Sequence, residues 1–419
     1  MKTEPRIAFF TDSFTEVNGV AHTSRMLAAF AKQRELPFLC VYAGDEIRQL
    51  EDGSLKRLVL PRTRFGFRLD ADLRFDLLMM RHAWLVLKTV RAFKPDVIHI
   101  TGPSDIGLLG VYVAKRLGVP MVLSWHTNIH EYAGERIAEF LNRHMPVLSD
   151  SSRVSMAGST LRLTLKWTQL FYRFGKILLA PNEELRSMLE CKCERPTFLM
   201  QRGVNTEAFS PAKRDSKKQL FTIGYVGRLT PEKNVRLLAT IEKGLLATKG
   251  NGQPSFRFVI VGAGSEGGWL QQNMQTAEFT GVLKGEALQR AYANVDLFVF
   301  PSHTDTFGNV VLEAQASGVP AIVSNQGGPK FIINEGETGL VAKNDKDFLR
   351  ATLRLMSQPE LLAQMSAASR RLAGHVSWDT VFEQVYLAYE TCLQRVTAQR
   401  ALLNSRHTTR ATMKPEKAR

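Results

Sequence analysis

The sequence predicts an α/β protein made of two doubly wound, Rossmann-like parallel-sheet domains, and three observations predict it. Short β-rich runs alternate with helical stretches through both halves, the pattern of parallel sheets covered on both faces by helices. The chain of 419 residues is too long for one ordinary core. Near its middle a polar, charged, proline-containing stretch, "NTEAFSPAKRDSKKQ", interrupts the alternation. The expected division is a first domain over residues 1–204, a linker over 205–219, a second domain over 220–375, a helix over 376–400 and a basic, disordered tail over 401–419.

In the first half the expected strands are "RIAFFTDS", "PFLCVYAG", "LKRLVLP", "DVIHIT", "PMVLSWHT", "KILLAPN" and "TFLMQRGV". In the second they are "LFTIGYVG", "FRFVIVGAG", "EFTGVL", "VDLFVFPS", "PAIVSN" and "TGLVAK". Helices fill the gaps, residues 72–93 and 286–294 among them. Past the second domain, "SWDTVFEQVYLAYETCLQRV" carries helical apolar spacing.

An apolar content of 44% is that of a globular protein, and the most apolar run, "LLMMRHAWLVLKTV", is broken by Arg81, His82 and Lys88, short of a membrane span. The start, "MKTEPRIAFF", lacks the pattern of a signal peptide, so the expected location is the cytoplasm. Cys40 and Cys392 stand alone, and Cys191 and Cys193 lack the C-x-x-C spacing of a zinc site, so free thiols are expected. The net charge is +15 and unevenly placed. From Arg395 onward seven Lys or Arg face one acid, Glu416. Residues 153–176 carry Arg153, Arg162, Lys166, Arg173 and Lys176 with no acid, and residues 62–94 are also basic. Such excess implies an anionic partner: nucleic acid, a phosphate-bearing substrate or an anionic membrane.

Four constellations point to chemistry. At the end of the first strand, Asp12 and Ser13 are followed by Asn18 and Gly19 and then a helix; a glycine there either lets phosphate approach a helix amino terminus or makes a plain turn. In "SWHTNIHEY", His126 follows a strand and is either a structural histidine or a chargeable group facing a ligand. In "YVGRLTPEKN", Arg228 and Lys233 flank Pro231 at a helix start, two cations at an amino terminus that suit an anion such as diphosphate. In "PSHTDTFGNVVLEAQASGVPAIVSNQGG", Asp305 lies on a loop after a strand. A helix starting near Gly308 aims the amides of Gly308, Asn309 and Val310 the same way, and Glu313 follows eight residues after Asp305. Two carboxylates so placed suit the hydroxyls of a sugar and a ribose.

Two further patterns carry less. Asp70-Ala-Asp72 resembles a metal-binding D-x-D pair but opens a basic helix, as a cap does. Gly262, Gly264 and Gly267 match G-x-G-x-x-G, yet the next strand lacks the terminal acid a nicotinamide site requires, so the turn reads as close strand-to-helix packing.

Taken together, "VNGV", "SWHTN", "GRLTPEKN", "DTFGNVVLE" and "GLVAK" resemble, in order and over residues 6–390, the retaining GT-B glycosyltransferases that use nucleotide sugars, the large group 1 family. The resemblance implies two Rossmann-like domains facing across a cleft, with the last helix returning to the first domain. It implies that His126 contacts the donor sugar, Arg228 and Lys233 neutralise the diphosphate, Asp305 binds sugar hydroxyls and Glu313 binds the ribose. The backbone at Val282 and Leu283 would recognise the base, and Gly19, Phe307, Gly308, Asn309 and Val310 would complete the donor site. It implies neither cofactor nor metal, since two cations and a helix terminus stand where a metal ion stands elsewhere. This sequence departs from the family in having Asp305 for a glutamate, Asn18-Gly19 for two glycines and Phe331 where an acid is usual.

The expected reaction is transfer of a hexosyl unit from a GDP- or UDP-hexose to an acceptor hydroxyl on a lipid or glycan. Cations interleaved with Phe65, Phe67, Trp84, Trp167, Phe171 and Tyr172 suit docking on an anionic bilayer. The other readings are a same-fold epimerase or phosphorylase and, more remotely, a dinucleotide oxidoreductase. A nucleic-acid partner is not expected, because it leaves Arg228, Lys233 and the two carboxylates without a task.

Overall fold

The computed structural model describes residues 4–412 apart from 17, 64–66, 69–73, 127–149, 216–219 and 249–254. The chain forms two compact units. One comprises Met1–Ala180, Glu184–Met200 and Phe382–Arg419, the other Pro181–Glu183 and Gln201–Val381. The first division therefore falls just before the stretch expected to be the linker, and the second falls inside the last helix.

The first unit carries β1 (Ile7–Thr11), β2 (Phe38–Gly44), β3 (Arg48–Asp52), β4 (Leu55–Pro61), the short antiparallel pair β5 (Phe67–Arg68) and β6 (Arg74–Phe75), β7 (Val97–Ile100), β8 (Met121–Ser124), β9 (Ile177–Ala180) and β10 (Thr197–Leu199). Its main sheet runs β10-β9-β8-β7-β1-β2-β4-β3. All neighbours are parallel except β3 and β4. Strands β1, β7, β8 and β9 are buried along their whole length, as strands covered on both faces must be. The covering helices are α1 (Gly19–Gln33), α2 (Ala83–Phe93), α3 (Asp105–Leu117), α4 (Asp150–Tyr172) and α5 (Glu183–Cys193).

Three elements differ from expectation. The helix expected over 72–93 begins only at Ala83, after a 3-10 turn at Leu77–His82. The cause is Asp76, whose buried carboxylate accepts from the backbone of both Thr63 (2.6 Å) and Leu78 (2.9 Å) and so draws the chain out of helical register. Strand β3, "RQLED", has no expected counterpart; it is an exposed edge strand and carries no apolar alternation. The last helix runs on to Thr412, through much of the tail expected to be disordered. Its "AQRALL" segment is rich in strong helix formers.

The second unit carries β11 (Phe221–Val226), β12 (Phe256–Val261), β13 (Ala277–Gly281), β14 (Leu297–Phe300), β15 (Ala321–Ser324) and β16 (Gly339–Ala342). They form a parallel sheet in the order β13-β12-β11-β14-β15-β16. Its helices are α6 (Arg236–Ala247), α7 (Gly267–Asn273), α8 (Gly285–Ala293), α9 (Asn309–Ala316), α10 (Asp345–Ser357) and α11 (Pro359–Gly374). The final helix, α12 (Trp378–Thr412), starts in this unit and continues in the first. There Phe382 packs against Phe30 (5.6 Å), Arg34 pairs with Glu383 (2.8 Å), and Val385, Tyr386, Tyr389 and Cys392 are buried on the same face.

The order of strands reverses between β11 and β14 in the second unit, and between β1 and β7 in the first. Ligands of doubly wound sheets bind beyond the carboxyl ends of the strands at such reversals. Among the described residues, no helix is long and apolar enough to cross a membrane, and all four cysteines are free.

Candidate active site

In the second unit the reversal joins two of the four constellations. Strand β11 ends at Val226 and leads into Gly227 and Arg228; β14 ends at Phe300 and leads through Asp305 to α9. Lys233 reaches from the first loop to the second, its Nζ 2.8 Å from each carboxylate oxygen of Asp305. Burial works to raise the Asp305 carboxyl, but Lys233, assisted by Arg228, holds it below its usual range. Arg228 also pairs with Glu232 at 3.4 Å. Residues Pro231–Lys233 form a 3-10 turn and α6 begins at Arg236, so the two cations stand before the helix and not at its first turn. Both enter the site with carboxylate partners.

Helix α9 begins after Gly308, whose φ of 103° is open to glycine and strained for other residues. No side chain caps it, so Asn309 and Val310 present backbone N–H groups at its start. Phe307 is buried beside them.

Each of the two loops rests on a glycine turn. A Cβ on Gly262 would lie 1.9 Å from the carbonyl oxygen of Gly227, and one on Gly264 2.2 Å from that of Leu229. Leu229 donates to Ala263 and Glu266 donates back to Leu229, locking the turn under the Arg228 loop. The G-x-G-x-x-G match is thus the support of the neighbouring loop. In the same way a Cβ on Gly328 would lie 2.0 Å from the carbonyl oxygen of Thr306, and the Gly328 N–H donates to Asp305 (2.6 Å).

Glu313 lies one turn into α9 and accepts from the Tyr292 hydroxyl (2.8 Å). Burial pushes its carboxyl up from 4.5 to about 7, although the Tyr292 bond opposes this. Val282 and Leu283 follow β13, with Val282 exposed. Sequence reasoning missed Arg202, a buried guanidinium 5.9 Å from the Phe307 ring centroid. Burial lowers its pKa to about 10. It falls within an expected strand, "TFLMQRGV", that ends at Leu199 in the structure.

In the first unit the reversal gathers Asp12 and Thr101, hydrogen-bonded at 3.0 Å, and the start of α1. Asn18 caps that helix, its Oδ1 accepting from Ala21 (2.8 Å), so one amide that a second glycine would have left open is already filled. Gly19, the first helical residue, is exposed. His126 lies two residues past β8, buried, its Nε2 2.7 Å from Ser124 Oγ. Asp70 and Asp72 lie outside the described residues. Among those described, no cluster of His, Cys, Asp and Glu could hold a metal ion.

Comparison with known proteins follows the same division. Residues 17–208 match the family model "Glycosyltransferase Family 4", and residues 221–358 match "Glycosyl transferases group 1". The chain is 32% identical to a GDP-mannose-dependent alpha-mannosyltransferase of Mycobacterium tuberculosis, over 75% of this chain and 78% of that one. It is 25% identical to the alpha-monoglucosyldiacylglycerol synthase of Streptococcus pneumoniae, over 85% and 79% respectively. Among solved structures, Alr3699/HepE of Anabaena in complex with UDP superposes with a TM-score of 0.63 at 15% identity, covering 92% of this chain and all of that one. The fold is therefore GT-B.

The raised Glu313 carboxyl has a consequence for stability. The folded protein holds this proton to higher pH than the unfolded chain, so stability due to this group is full below about 4.5 and is lost as pH rises through about 7. Glu313→Gln keeps an acceptor for Tyr292 and removes the titration. Melting curves at pH 5 and pH 8 should show the variant gaining on the native protein by about a few degrees at the higher pH. An identical pH dependence would contradict the assignment.

Proposed function

The chain belongs to the group 1 and family 4 glycosyltransferases, nucleotide-sugar-dependent hexosyltransferases, and from that premise we propose that it transfers a hexosyl unit from a GDP-hexose, with retention at the anomeric carbon, to a lipid hydroxyl at an anionic membrane surface. The observation that carries the donor reading is the convergence of Arg228, Lys233, Asp305 and the uncapped start of α9 at the reversal of the second sheet. Guanine as the base is supported by the mannosyltransferase relative, which is GDP-mannose-dependent.

Breaking the bond between the anomeric carbon and the phosphate oxygen leaves positive charge on the ring and negative charge on the diphosphate. Arg228, Lys233 and the N–H groups of Asn309 and Val310 stabilise that negative charge, and do so more as the bond breaks. The acceptor hydroxyl attacks from the face the diphosphate leaves, and a phosphate oxygen takes its proton, which gives retention without a protein nucleophile. Asp305 orients Lys233 and binds sugar hydroxyls, Glu313 binds the ribose, His126 contacts the sugar, and the backbone at Val282 and Leu283 recognises the base. Gly19 lets the ligand approach the start of α1, and Phe307 with Gly308 holds the loop before α9 in place.

The membrane reading rests on α4. Leu163, Trp167 and Leu170 are exposed at spacings that put them on one helical face, and Phe174, two residues past the end of α4, is exposed as well. Arg162, Lys166 and Arg173 flank that stripe, and Lys115 lies 3.9 Å from the Phe174 ring centroid. Trp84 on α2 is 72% exposed with Lys88 over its ring. Phe171 and Tyr172, expected at this surface, are buried instead, with Tyr172 stacked on Trp125. Phe65 lies outside the described residues, and Phe67 pairs with Phe75 in the short β5–β6 ladder. An apolar stripe beside a basic one matches an anionic bilayer in both hydrophobicity and charge.

Three measurements test the proposal. GDP and GDP-mannose should raise the melting temperature more than UDP and UDP-glucose, and Lys233→Ala should cut turnover by about a hundredfold or more; a preference for the uridine ligands would reassign the base. The protein should sediment with phosphatidylglycerol vesicles at low salt and be released at high salt, and Trp167→Glu with Leu170→Glu should abolish the binding. Unaltered sedimentation of that variant would remove α4 from the contact, and a dimer that the substitutions dissociate would assign the face to a second copy.

A further inference from the structure

We propose that Tyr389, His99 and Ser124 are positioning residues for His126, forming a one-way hydrogen-bond chain that fixes it as the Nδ1–H tautomer, so that it meets the donor sugar as a hydrogen-bond donor. This rests on the reading that His126 contacts that sugar.

Four side chains from three separate elements make the chain, all in the first unit. The Tyr389 hydroxyl, on α12, lies 2.7 Å from His99 Nδ1 on β7. His99 Nε2 lies 2.8 Å from Ser124 Oγ, at the end of β8, and Ser124 Oγ lies 2.7 Å from His126 Nε2. The parallel register pairs His99 with Val122, so Ser124, two residues on, shares the face of Val122. The surroundings hold these groups in place. His99 meets Phe9 edge-on at 5.0 Å, and the Tyr172 hydroxyl donates to the Ser124 carbonyl (3.0 Å).

Proton counting gives the chain its direction. Burial lowers the His99 pKa to about 3, so the ring is neutral, with one N–H and one lone pair. Whichever way one of its bonds points, the other must continue in the same sense. Burial raises the Tyr389 hydroxyl well above its ordinary range, so it keeps its proton. Among the described residues its hydrogen-bond partner is His99 Nδ1. Leaving that buried proton without an acceptor would be costly. Tyr389 therefore donates to Nδ1, His99 donates from Nε2 to Ser124, and Ser124 donates to His126 Nε2. With Nε2 accepting from Ser124, the proton of the His126 ring is on Nδ1.

Sequence patterning did not point here, because His99 lies inside a buried apolar strand and Tyr389 lies 290 residues away along the chain. The arrangement also gives α12 a part in the chemistry of the first unit, beyond filling its core.

Long-range proton–nitrogen NMR on the full chain labelled at histidine reads each tautomer directly. In the native protein His126 should show protonated Nδ1 and bare Nε2. Ser124→Ala and Tyr389→Phe should each turn that signature into a tautomer mixture and lower kcat about tenfold with little change in donor KM, while Ser124→Thr should restore both. Tyr389→Phe removes one oxygen and keeps the ring packing, so folding is preserved. A native His126 protonated on Nε2, or an unchanged signature and unchanged kcat in both Ser124→Ala and Tyr389→Phe, would overturn the relay. If the tautomer is as stated but His126→Ala retains full turnover, the sugar contact fails and the hydrogen-bond chain stands.

Discussion

The second unit depends on backbone lying directly on backbone. The loops that carry Arg228 and Asp305 rest on turns so close that a single methyl group at Gly262, Gly264 or Gly328 would overlap a carbonyl oxygen. Main-chain hydrogen bonds then fix each loop, and no rotamer of a supporting side chain can move it. Only after this is done can one ion pair, Lys233 with Asp305, tie the two loops together. With Lys233 buried and Asp305 partly so, the pair is costly to break from one side only. A ligand that draws Lys233 away from Asp305 must replace the lost charge in full, which favours a diphosphate over a weaker anion. Arg228, about a third exposed, is engaged with Glu232 and is released more readily.

Much of this was legible in the chain. Period and composition were enough for two doubly wound sheets, because strands buried on both faces read as short apolar runs. The glycine turn at 262–267 was read as close strand-to-helix packing, and its task of supporting a loop 35 residues earlier required the three-dimensional register. Elements failed where a side chain overruled the local pattern, as Asp76 does for the expected helix at 72–93. They also failed where an edge strand has no buried face, as in β3. The partners of the candidate site were the least visible: Tyr292 for Glu313, Arg202 beside Phe307 and His99 behind His126 are all separated from them by long stretches of sequence. Long-range pairing leaves no periodic trace.

Helix α4 does two things along one length. Its outer face shows Leu163, Trp167 and Leu170, while Tyr172, its last residue, turns inward to hold the Ser124 carbonyl and stack on Trp125. The element proposed to meet the bilayer is thus also the one that steadies the strand end leading to His126. Within this unit, surface and interior are joined by one rigid rod.

The path of α12 bears on how such proteins can be recombined. A helix that begins in one unit and is packed into the other makes the first unit a discontinuous assembly: Phe382, Tyr386 and Tyr389 complete a core whose strands come from the start of the chain. Grafting a foreign second unit would therefore take two junctions, near residues 200 and 381, so that the amino-terminal portion and the last helix descend from the same parent. A single crossover in the middle would separate a core from its own final piece. Exchange of the second unit in this architecture is an insertion, not a fusion.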